Sequence, residues 1–257
     1  MTDVVNRDDF LSFDGVRIGW HELGSGRPVI LLHGLFSSGE MNWRRYGAAA
    51  EIAGAGYRVI MPDFRAHGIS AAPHDAAAYP QDVLAHDVEA LVRHLELHDF
   101  DLGGYSLGAR TAVRLLVRGL TPRQVILSGM GLSGLTGGSD RANWFLNIIA
   151  NAGSFAPGTA EFSAASFMKT NNIDGAAVAQ VLRSQVSTSL AAVRAIATRT
   201  LVLCGADDHD NGSASELALT LPNAAHVSIP GNHMSAVTKP DFGTAIAAWL
   251  QHGPGAA

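Results

Sequence analysis

The residues most able to do chemistry in this sequence surround Ser106. In the segment Gly104-Tyr105-Ser106-Leu107-Gly108, the serine lies two residues from a glycine on either side. Small residues are needed at these positions when a strand turns at once into a helix, because the backbone is crowded there. Such a bend projects the hydroxyl above the sheet and places a helix N-terminus beneath any negative charge that develops. The segment therefore predicts Ser106 as a nucleophile.

A nucleophilic serine needs two further side chains. Its hydroxyl reacts poorly until a base removes the proton, and an acid must hold that base in the required tautomer. His233 follows a predicted strand at residues 225–229 and is the candidate base. Asp207 and Asp208 follow a predicted strand at residues 200–204, and both are candidate acids.

These side chains are far apart in the chain, so a scaffold must bring them to one edge. Short β-rich runs alternate with helical patterns, which predicts βαβ units around a mostly parallel sheet. Strands are predicted at residues 16–22, 29–33, 57–61, 100–104, 124–127, 200–204 and 225–229, and helices at residues 42–55, 81–97, 107–118 and 238–251. The three side chains would then converge at one rim of this sheet.

The pattern changes between residues 129 and 198. This stretch has glycine clusters and no clear strand, and Glu161 is the only charged residue between positions 142 and 168. Such a stretch is too long for an ordinary loop, which favours a lid with its own helices. We therefore expect a core of residues 1–130 and 199–257 with a helical cap of residues 131–198.

Taken together, these segments resemble the α/β-hydrolase superfamily over nearly the whole chain. Leu32-His33-Gly34 is similar to the family's oxyanion-loop turn, and residues 62–70 are similar to its Asp-x-Arg-x-His-Gly-x-Ser segment. The resemblance implies an α/β fold with a mostly parallel central sheet, helices on both faces and a helical cap insert. Two departures are Gly103, where a larger residue is common, and Asn232, where glycine is frequent.

The resemblance also implies roles for single residues. The family's acid is usually the third residue after the glycine of its loop, which favours Asp208 over Asp207. The backbone N–H groups of Leu35 and Leu107 would form the oxyanion hole. The segment at residues 62–70 is expected to shape turns rather than to do chemistry.

Apolar side chains of the cap and the neighbouring loops are candidates for a substrate pocket. They are Phe36, Met130, Trp144, Phe167, Met168 and Met234. Packing of the cap on the core is the ordinary role of such residues, but a cap must also present an inner face to the site. An apolar inner face favours a substrate with an apolar acyl part.

The expected reaction is hydrolysis of a small or medium carboxylic ester, thioester or lactone through an acyl-enzyme. One alternative is hydrolysis of a carbon–carbon bond in a diketone-like acid, although relatives of that kind carry Trp directly after the histidine, where this chain has Met234. Another is a ligand-binding receptor that retains the three residues. Related dehalogenases and epoxide hydrolases use aspartate at the position of Ser106, which counts against their chemistry.

Composition limits the other partners. Of the 257 residues 47% are hydrophobic and 16% are charged, and the net charge is −5, with no Lys- or Arg-rich run that would bind nucleic acid or an acidic membrane. No apolar stretch is long enough to cross a bilayer. The chain has one cysteine, Cys204, so it cannot form an intramolecular disulfide.

His94 and His98 have metal-ligand spacing but no third ligand nearby. We expect a cytoplasmic enzyme with a small-molecule substrate, no cofactor and no metal; the oligomeric state is not predicted.

Overall fold

The computed structural model describes residues 6–252 and places one eight-stranded sheet at their centre. The strands are β1 (Asn6–Leu11), β2 (Arg17–Gly24), β3 (Arg27–Leu32), β4 (Tyr57–Pro62), β5 (Asp101–Tyr105), β6 (Gln124–Ser128), β7 (Arg199–Gly205) and β8 (Ala224–Ile229). Their order across the sheet is β1-β2-β4-β3-β5-β6-β7-β8. The pairs β1–β2 and β2–β4 are antiparallel and all others are parallel, which confirms the mostly parallel sheet.

Ten α-helices connect and cover these strands. They are α1 (Ala48–Gly54), α2 (Val83–His94), α3 (Leu107–Val117), α4 (Leu132–Thr136), α5 (Asp140–Ala150), α6 (Ala160–Thr170), α7 (Gly175–Arg183), α8 (Leu190–Arg194), α9 (Ala214–Thr220) and α10 (Pro240–Gln251). Short turns of other helix types lie at Glu40–Arg44, Ala76–Ala78 and Ala236–Thr238. Helices α1 and α10 pack on each other over one face, and α2 packs on α3 over the other.

Strand β3 explains why the central strands are apolar throughout. Val29 and Leu31 join the cluster of side chains beneath α1 and α10, whereas Ile30 and Leu32 join the cluster beneath α2 and α3. All four side chains are fully buried. Successive side chains of a strand point to opposite faces, so a strand covered on both faces must be apolar at every position.

Two predicted helices are shorter in the structure. The expected helix at residues 42–55 is divided into the turn Glu40–Arg44 and helix α1, because Gly47 between them has a φ of +88°. The expected helix at residues 81–97 begins only after Asp82, whose φ of +58° is left-handed, and ends at His94. A backbone in the left-handed region cannot continue a right-handed helix.

Two elements had not been predicted. Strand β1 lies at the sheet edge with five of its six residues exposed and only Phe10 buried, so its sequence lacks an apolar pattern. Charged residues are common on edge strands, since they discourage pairing with another chain. Helix α9 is a seven-residue helix, and its first turn is capped by Ser213, whose hydroxyl accepts the N–H of Glu216.

The stretch between β6 and β7 contains five helices, α4 to α8. We call residues 131–198 the insert. The division of the chain into a core of residues 1–130 and 199–257 and a cap remains a prediction, and residues 1–5 and 253–257 lie outside the described part. Within residues 6–252, the structure has no helix both long enough and apolar enough to span a membrane.

Candidate active site

Ser106 lies at a strained turn between β5 and α3. Its φ of +53° and ψ of −109° are far outside the helical and extended regions. A Cβ at Gly104 would lie 2.2 Å from the carbonyl carbon of Gly108, and a Cβ at Gly108 would lie 2.1 Å from the carbonyl oxygen of Leu32. Any larger residue at either position would therefore push the turn apart, which explains the two glycines around the serine.

The structure brings Ser106, His233 and Asp208 together. The Oγ of Ser106 lies 3.0 Å from Nε2 of His233, and Nδ1 of the same ring lies 2.9 Å from Oδ2 of Asp208. When Nδ1–H donates to the carboxylate, Nε2 is left to accept the serine hydroxyl proton. Asp208 is buried, whereas the side chain of Asp207 is exposed. The second candidate acid therefore stays outside this chain of hydrogen bonds.

Close backbone packing holds the acid and the base together. Asp208 follows β7 and His233 follows β8, two neighbouring parallel strands. A Cβ at Gly205 would lie 2.1 Å from the carbonyl oxygen of Gly231, so the two loops touch through their main chains. The N–H of Asp207 donates to Gly231 O at 3.0 Å and links the same loops. The backbone of Asp207 thus helps to join its loop to the loop that carries His233, although the Asp207 side chain does not reach the histidine.

Two side chains fix the turn that carries His233. The Oδ1 of Asn232 accepts the N–H groups of Met234 and Ser235 at 3.1 and 3.0 Å, which closes the turn. The hydroxyl of Tyr105 donates to the carbonyl oxygen of His233. Burial raises the pKa of Tyr105 well above its ordinary value, so the phenol keeps the proton that it donates. Sequence reasoning noted Asn232 only as a departure and did not single out Tyr105.

The two expected oxyanion donors lie beside the serine. Leu35, Ser106 and Leu107 line one cavity. Within residues 6–252, the amide N–H groups of Leu35 and Leu107 donate to no protein acceptor. Leu107 is the first residue of α3, where an N–H has no partner inside the helix. Their role as an oxyanion hole remains a prediction.

The loop around Leu35 is held by side chains that sequence reasoning did not connect with it. The N–H of Gly34 donates to Oδ1 of Asn42 at 2.9 Å, and the N–H of Phe36 donates to Nε2 of His67 at 3.3 Å. Phe36 has a φ of +59°, a strained value for a bulky residue. These two hydrogen bonds anchor both neighbours of Leu35 and leave its own N–H free.

Two buried histidines in this region are neutral. Burial lowers the pKa of His67 to about 3 and also lowers that of His33. The unprotonated Nε2 of His33 therefore accepts the N–H of Phe64 at 2.9 Å, while its Nδ1–H donates to Gly34 O at 2.7 Å. The contacts match the expectation that residues 62–70 shape turns.

Ser106 lies between two cavities. The first, of about 320 Å³, is mainly apolar and is lined by four of the predicted pocket residues, namely Phe36, Trp144, Phe167 and Met234. We call it the apolar cavity. The second, of about 300 Å³, contains Met130 in its wall. The predicted set of pocket residues is therefore divided between the two sides of the serine.

Met168 was predicted to line the substrate pocket, and this prediction is wrong. Its side chain is buried in the core, and a Cβ at Gly175 on α7 would lie 3.8 Å from its sulfur. Phe167 precedes it on α6 and lines the apolar cavity. Successive residues of an α-helix point about 100° apart, so these two side chains cannot share one direction. The apolar character of Met168 serves packing between insert helices.

The second cavity, which we call the arginine cavity, has a polar wall that sequence reasoning missed. Arg110, Arg141 and Arg183 line it together with amide side chains of Asn143 and Asn211. These residues come from α3, the insert and the loop after β7, so no local pattern in the sequence connects them. Within the described residues, no three His, Cys, Asp or Glu side chains are grouped to hold a metal ion.

Comparison with known proteins identifies the fold. A model of the alpha/beta hydrolase fold matches residues 27–134, which include β3, Leu35 and the Ser106 turn. A solved thermophilic esterase from Thermogutta terrifontis superposes with a TM-score of 0.77 at 22% identity, covering 96% of this chain and 98% of that one. Together these matches show that the chain has the α/β-hydrolase fold.

Two curated proteins that are similar to this chain have different named activities. A non-heme chloroperoxidase from Kitasatospora aureofaciens is 36% identical over 110 residues, 43% of this chain and 38% of that protein. A 2-hydroxymuconate semialdehyde hydrolase from a Pseudomonas species is 29% identical over 224 residues, 76% of this chain and 75% of that protein. In four of the curated matches, the chain spans only 30% to 38% of the relative's length.

Proposed function

We propose that this α/β-hydrolase cleaves a small or medium carboxylic ester, thioester or lactone through an acyl-enzyme on Ser106. The observation that carries the proposal is the chain of hydrogen bonds from Ser106 Oγ to His233 Nε2, 3.0 Å, and from His233 Nδ1 to Asp208 Oδ2, 2.9 Å. This arrangement suits proton transfer from a nucleophile to a base whose tautomer is held by an acid.

The first half of the reaction forms the acyl-enzyme. The Oγ of Ser106 attacks the acyl carbonyl carbon as its proton passes to Nε2 of His233. The new oxyanion accepts hydrogen bonds from the N–H groups of Leu35 and Leu107, a contribution of roughly 10²- to 10³-fold in rate per donor at comparable sites. The bond to the leaving group then breaks as that group takes the proton from His233.

The second half releases the product. Water gives a proton to Nε2 of His233 and attacks the acyl carbon, and the ester bond to Ser106 breaks as the serine oxygen takes that proton back. The carboxylate of Asp208 stabilises the imidazolium in both halves and is not itself protonated. The acyl group of the small-molecule substrate leaves as a carboxylic acid, and the free serine hydroxyl is ready for another turnover.

The apolar cavity supports a substrate with an apolar group on one side of the scissile bond. Its aromatic wall includes Trp144 and Phe167, and Phe36 packs edge-on against Phe145 beside it. Burial of aliphatic chain against such a wall contributes roughly 25 cal/mol per Å² removed from water. Esters with short to medium alkyl chains fit a volume of about 320 Å³.

Carbon–carbon bond hydrolysis is a second candidate. The relative named 2-hydroxymuconate semialdehyde hydrolase aligns with 76% of this chain, a far larger share than the 43% aligned with the chloroperoxidase. Against this candidate, Met234 follows the histidine here, 56% exposed, where proteins with that activity are expected to carry Trp. We therefore rank ester cleavage first.

Active-site labelling and turnover together test the proposal. The protein is incubated with a fluorophosphonate, the adduct is located by mass spectrometry, and 4-nitrophenyl esters of increasing chain length are assayed. We expect the adduct on Ser106, measurable ester turnover, and loss of both in Ser106→Ala. Ser215→Ala, a change at an exposed serine on α9, serves as the control and should retain both.

The other outcomes separate the rival functions. An adduct without ester turnover, but with cleavage of a vinylogous diketo acid, would favour carbon–carbon bond hydrolysis. An adduct with neither activity would favour a ligand-binding receptor. Ester turnover that survives Ser106→Ala would contradict the assigned nucleophile.

A further inference from the structure

We propose that the arginine cavity binds a carboxylate group of the substrate, with Arg110 as the principal contact. The inference rests on the proposed function, because it adds a substrate class to the same reacting serine. The substrate would then have an apolar group on one side of Ser106 and a negative charge on the other.

The position of Arg110 is the first support. It lies four residues after Ser106, one turn along α3, and the two residues line the same cavity of about 300 Å³. Side chains of an α-helix lean towards its N-terminus and cover the preceding turn. The side chain of Arg110 therefore leans towards the end of the helix that carries the serine, on the wall of the cavity that both residues line.

The unused donors of Arg110 are the second support. Nη1 donates to the carbonyl oxygen of Gly134, whereas the fully buried Nε has no acceptor among the described residues. Within residues 6–252, no carboxylate lies within 4.0 Å of this guanidinium. One turn later, Arg114 binds Asp82 through Nε and Nη2 at 3.0 and 2.7 Å. The arginine nearer the serine thus lacks the carboxylate that its neighbour has.

A partly buried guanidinium without a carboxylate is unfavourable for the free protein. Burial lowers the pKa of Arg110 and the charge of Arg114 lowers it further, while the more distant carboxylate of Asp82 offsets only part of this effect. Leaving a buried charged donor without an acceptor costs free energy that an anionic ligand would recover. An unpaired buried guanidinium is expected where an anion binds, whereas it would not improve the packing of the free protein.

The remaining wall of the cavity has the same sign of charge. Arg141 and Arg183 line it, and none of its lining residues is Asp or Glu. Arg141 lies 3.2 Å from Asp210, but that pair is exposed and would be screened by water and salt. The positive potential inside the cavity would therefore attract an anion.

The geometry of the guanidinium favours a carboxylate. Its N–H groups lie in one plane, and two of them can bind the two oxygens of a carboxylate at once. Asn143 and Asn211 lie on the same wall; Nδ2 of each donates one hydrogen bond within the protein, to Ser139 and to Gly129, which leaves each amide a second N–H. Arg141 also lines the apolar cavity, but Asp210, its ion-pair partner, lines the same wall there, and the cavity contains no second arginine in its lining.

Matched ester pairs test this inference. In the first pair, 4-nitrophenyl hydrogen glutarate is compared with its methyl ester, so the acyl group differs in charge and by one methyl group; the rate without enzyme is subtracted for each ester. In the second, 4-carboxyphenyl butyrate is compared with its methyl ester, so the charge is on the alcohol side. We expect kcat/KM to favour the charged member of at least one pair by about tenfold or more.

Variants then locate the cause of the preference. Arg110→Gln should reduce the charged-to-neutral ratio of kcat/KM at least tenfold, mainly through KM for the charged ester. Arg110→Lys keeps the charge but loses the planar pair of donors, so it should give an intermediate ratio. Arg93→Gln removes an exposed arginine on α2 and should leave the ratio unchanged. Circular dichroism of each variant checks that it is folded.

Binding without turnover separates this inference from the proposed function. Glutarate is titrated calorimetrically into the Ser106→Ala variant and into the Ser106→Ala/Arg110→Gln double variant. Binding to the first that is at least tenfold weaker in the second supports the carboxylate site, even if no ester is cleaved. Ester turnover with no charge preference in either pair, together with equal glutarate binding by both variants, overturns the site and leaves the proposed function standing.

Discussion

The two sides of Ser106 are built differently. Below it, the ends of β3, β5, β7 and β8 meet through main-chain contacts so close that Gly108 and Gly205 have no room for a side chain. Above it, the insert contributes half-buried side chains such as Trp144, whose contacts are made by side chains, including a hydrogen bond from its indole N–H to Glu161 at 2.9 Å. The strand ends therefore fix the positions of the reacting atoms, whereas the insert fixes the size and polarity of a cavity.

We infer from this difference that the strand ends determine the reaction rate and that the insert determines substrate preference. Proton transfer and oxyanion stabilisation depend on distances near 3 Å, so they need the rigid side of the site. A cavity wall only needs approximate size and polarity, so its residues can be exchanged at lower cost. We therefore expect substitutions at the strand ends to abolish activity or folding, and substitutions in the insert to change substrate preference.

The largest expected effect separates two neighbouring aspartates. Asp208→Asn would leave a hydrogen-bond partner beside His233 but remove the charge and favour the wrong tautomer of the ring, so kcat/KM should fall about 10³- to 10⁴-fold. Asp207→Asn is the matched control and should change kcat/KM less than about threefold, because that side chain is exposed. Steady-state assays with one ester measure both. Equal losses in the two variants would mean that the acid is assigned to the wrong position.

A change at one glycine should have the next largest effect. A Cβ in Gly108→Ala would lie 2.1 Å from the Leu32 carbonyl oxygen, closer than real Cβ contacts, so the variant should lose at least about 3 kcal/mol of stability. Gly54→Ala is the control, because no atom lies within 4 Å of its Cβ and alanine favours the helix. Thermal unfolding measures both. A Gly108→Ala protein that melts like the wild type would show that the turn has room to relax.

The residues at the strand ends were also the ones that the sequence predicted most accurately. Glycines at 104 and 108 and the loops after two late strands are local patterns, because a tight turn demands particular residues in a row. Ser106, His233 and the pair Asp207 and Asp208 were selected on this basis, and the structure places Ser106 and Asp208 each within hydrogen-bond distance of His233. The choice between Asp207 and Asp208 depended on the family resemblance, because the two residues are adjacent and chemically identical.

Long-range features were harder to predict. Asn42 and Tyr105 hold the site through contacts with Gly34 and His233, and nothing in their own segments indicates those partners. Met168 was placed in the pocket because apolar residues that line a cavity and apolar residues that fill a core have the same composition. Strand β1 was missed for the opposite reason, since an exposed edge strand contains few apolar residues.

The smallest expected effect concerns the insert itself. Phe167 lines the apolar cavity from α6, and Phe162 lies on the same helix, 38% exposed and outside that cavity. Phe167→Ala should enlarge the cavity, so the ratio of kcat/KM for 4-nitrophenyl octanoate to that for the butyrate should rise about threefold to tenfold. Phe162→Ala removes the same atoms from the helix without opening the cavity, so its ratio should stay at the wild-type value. If both variants shifted the ratio equally, the insert would influence selectivity through its general stability rather than through the wall that it presents to the substrate.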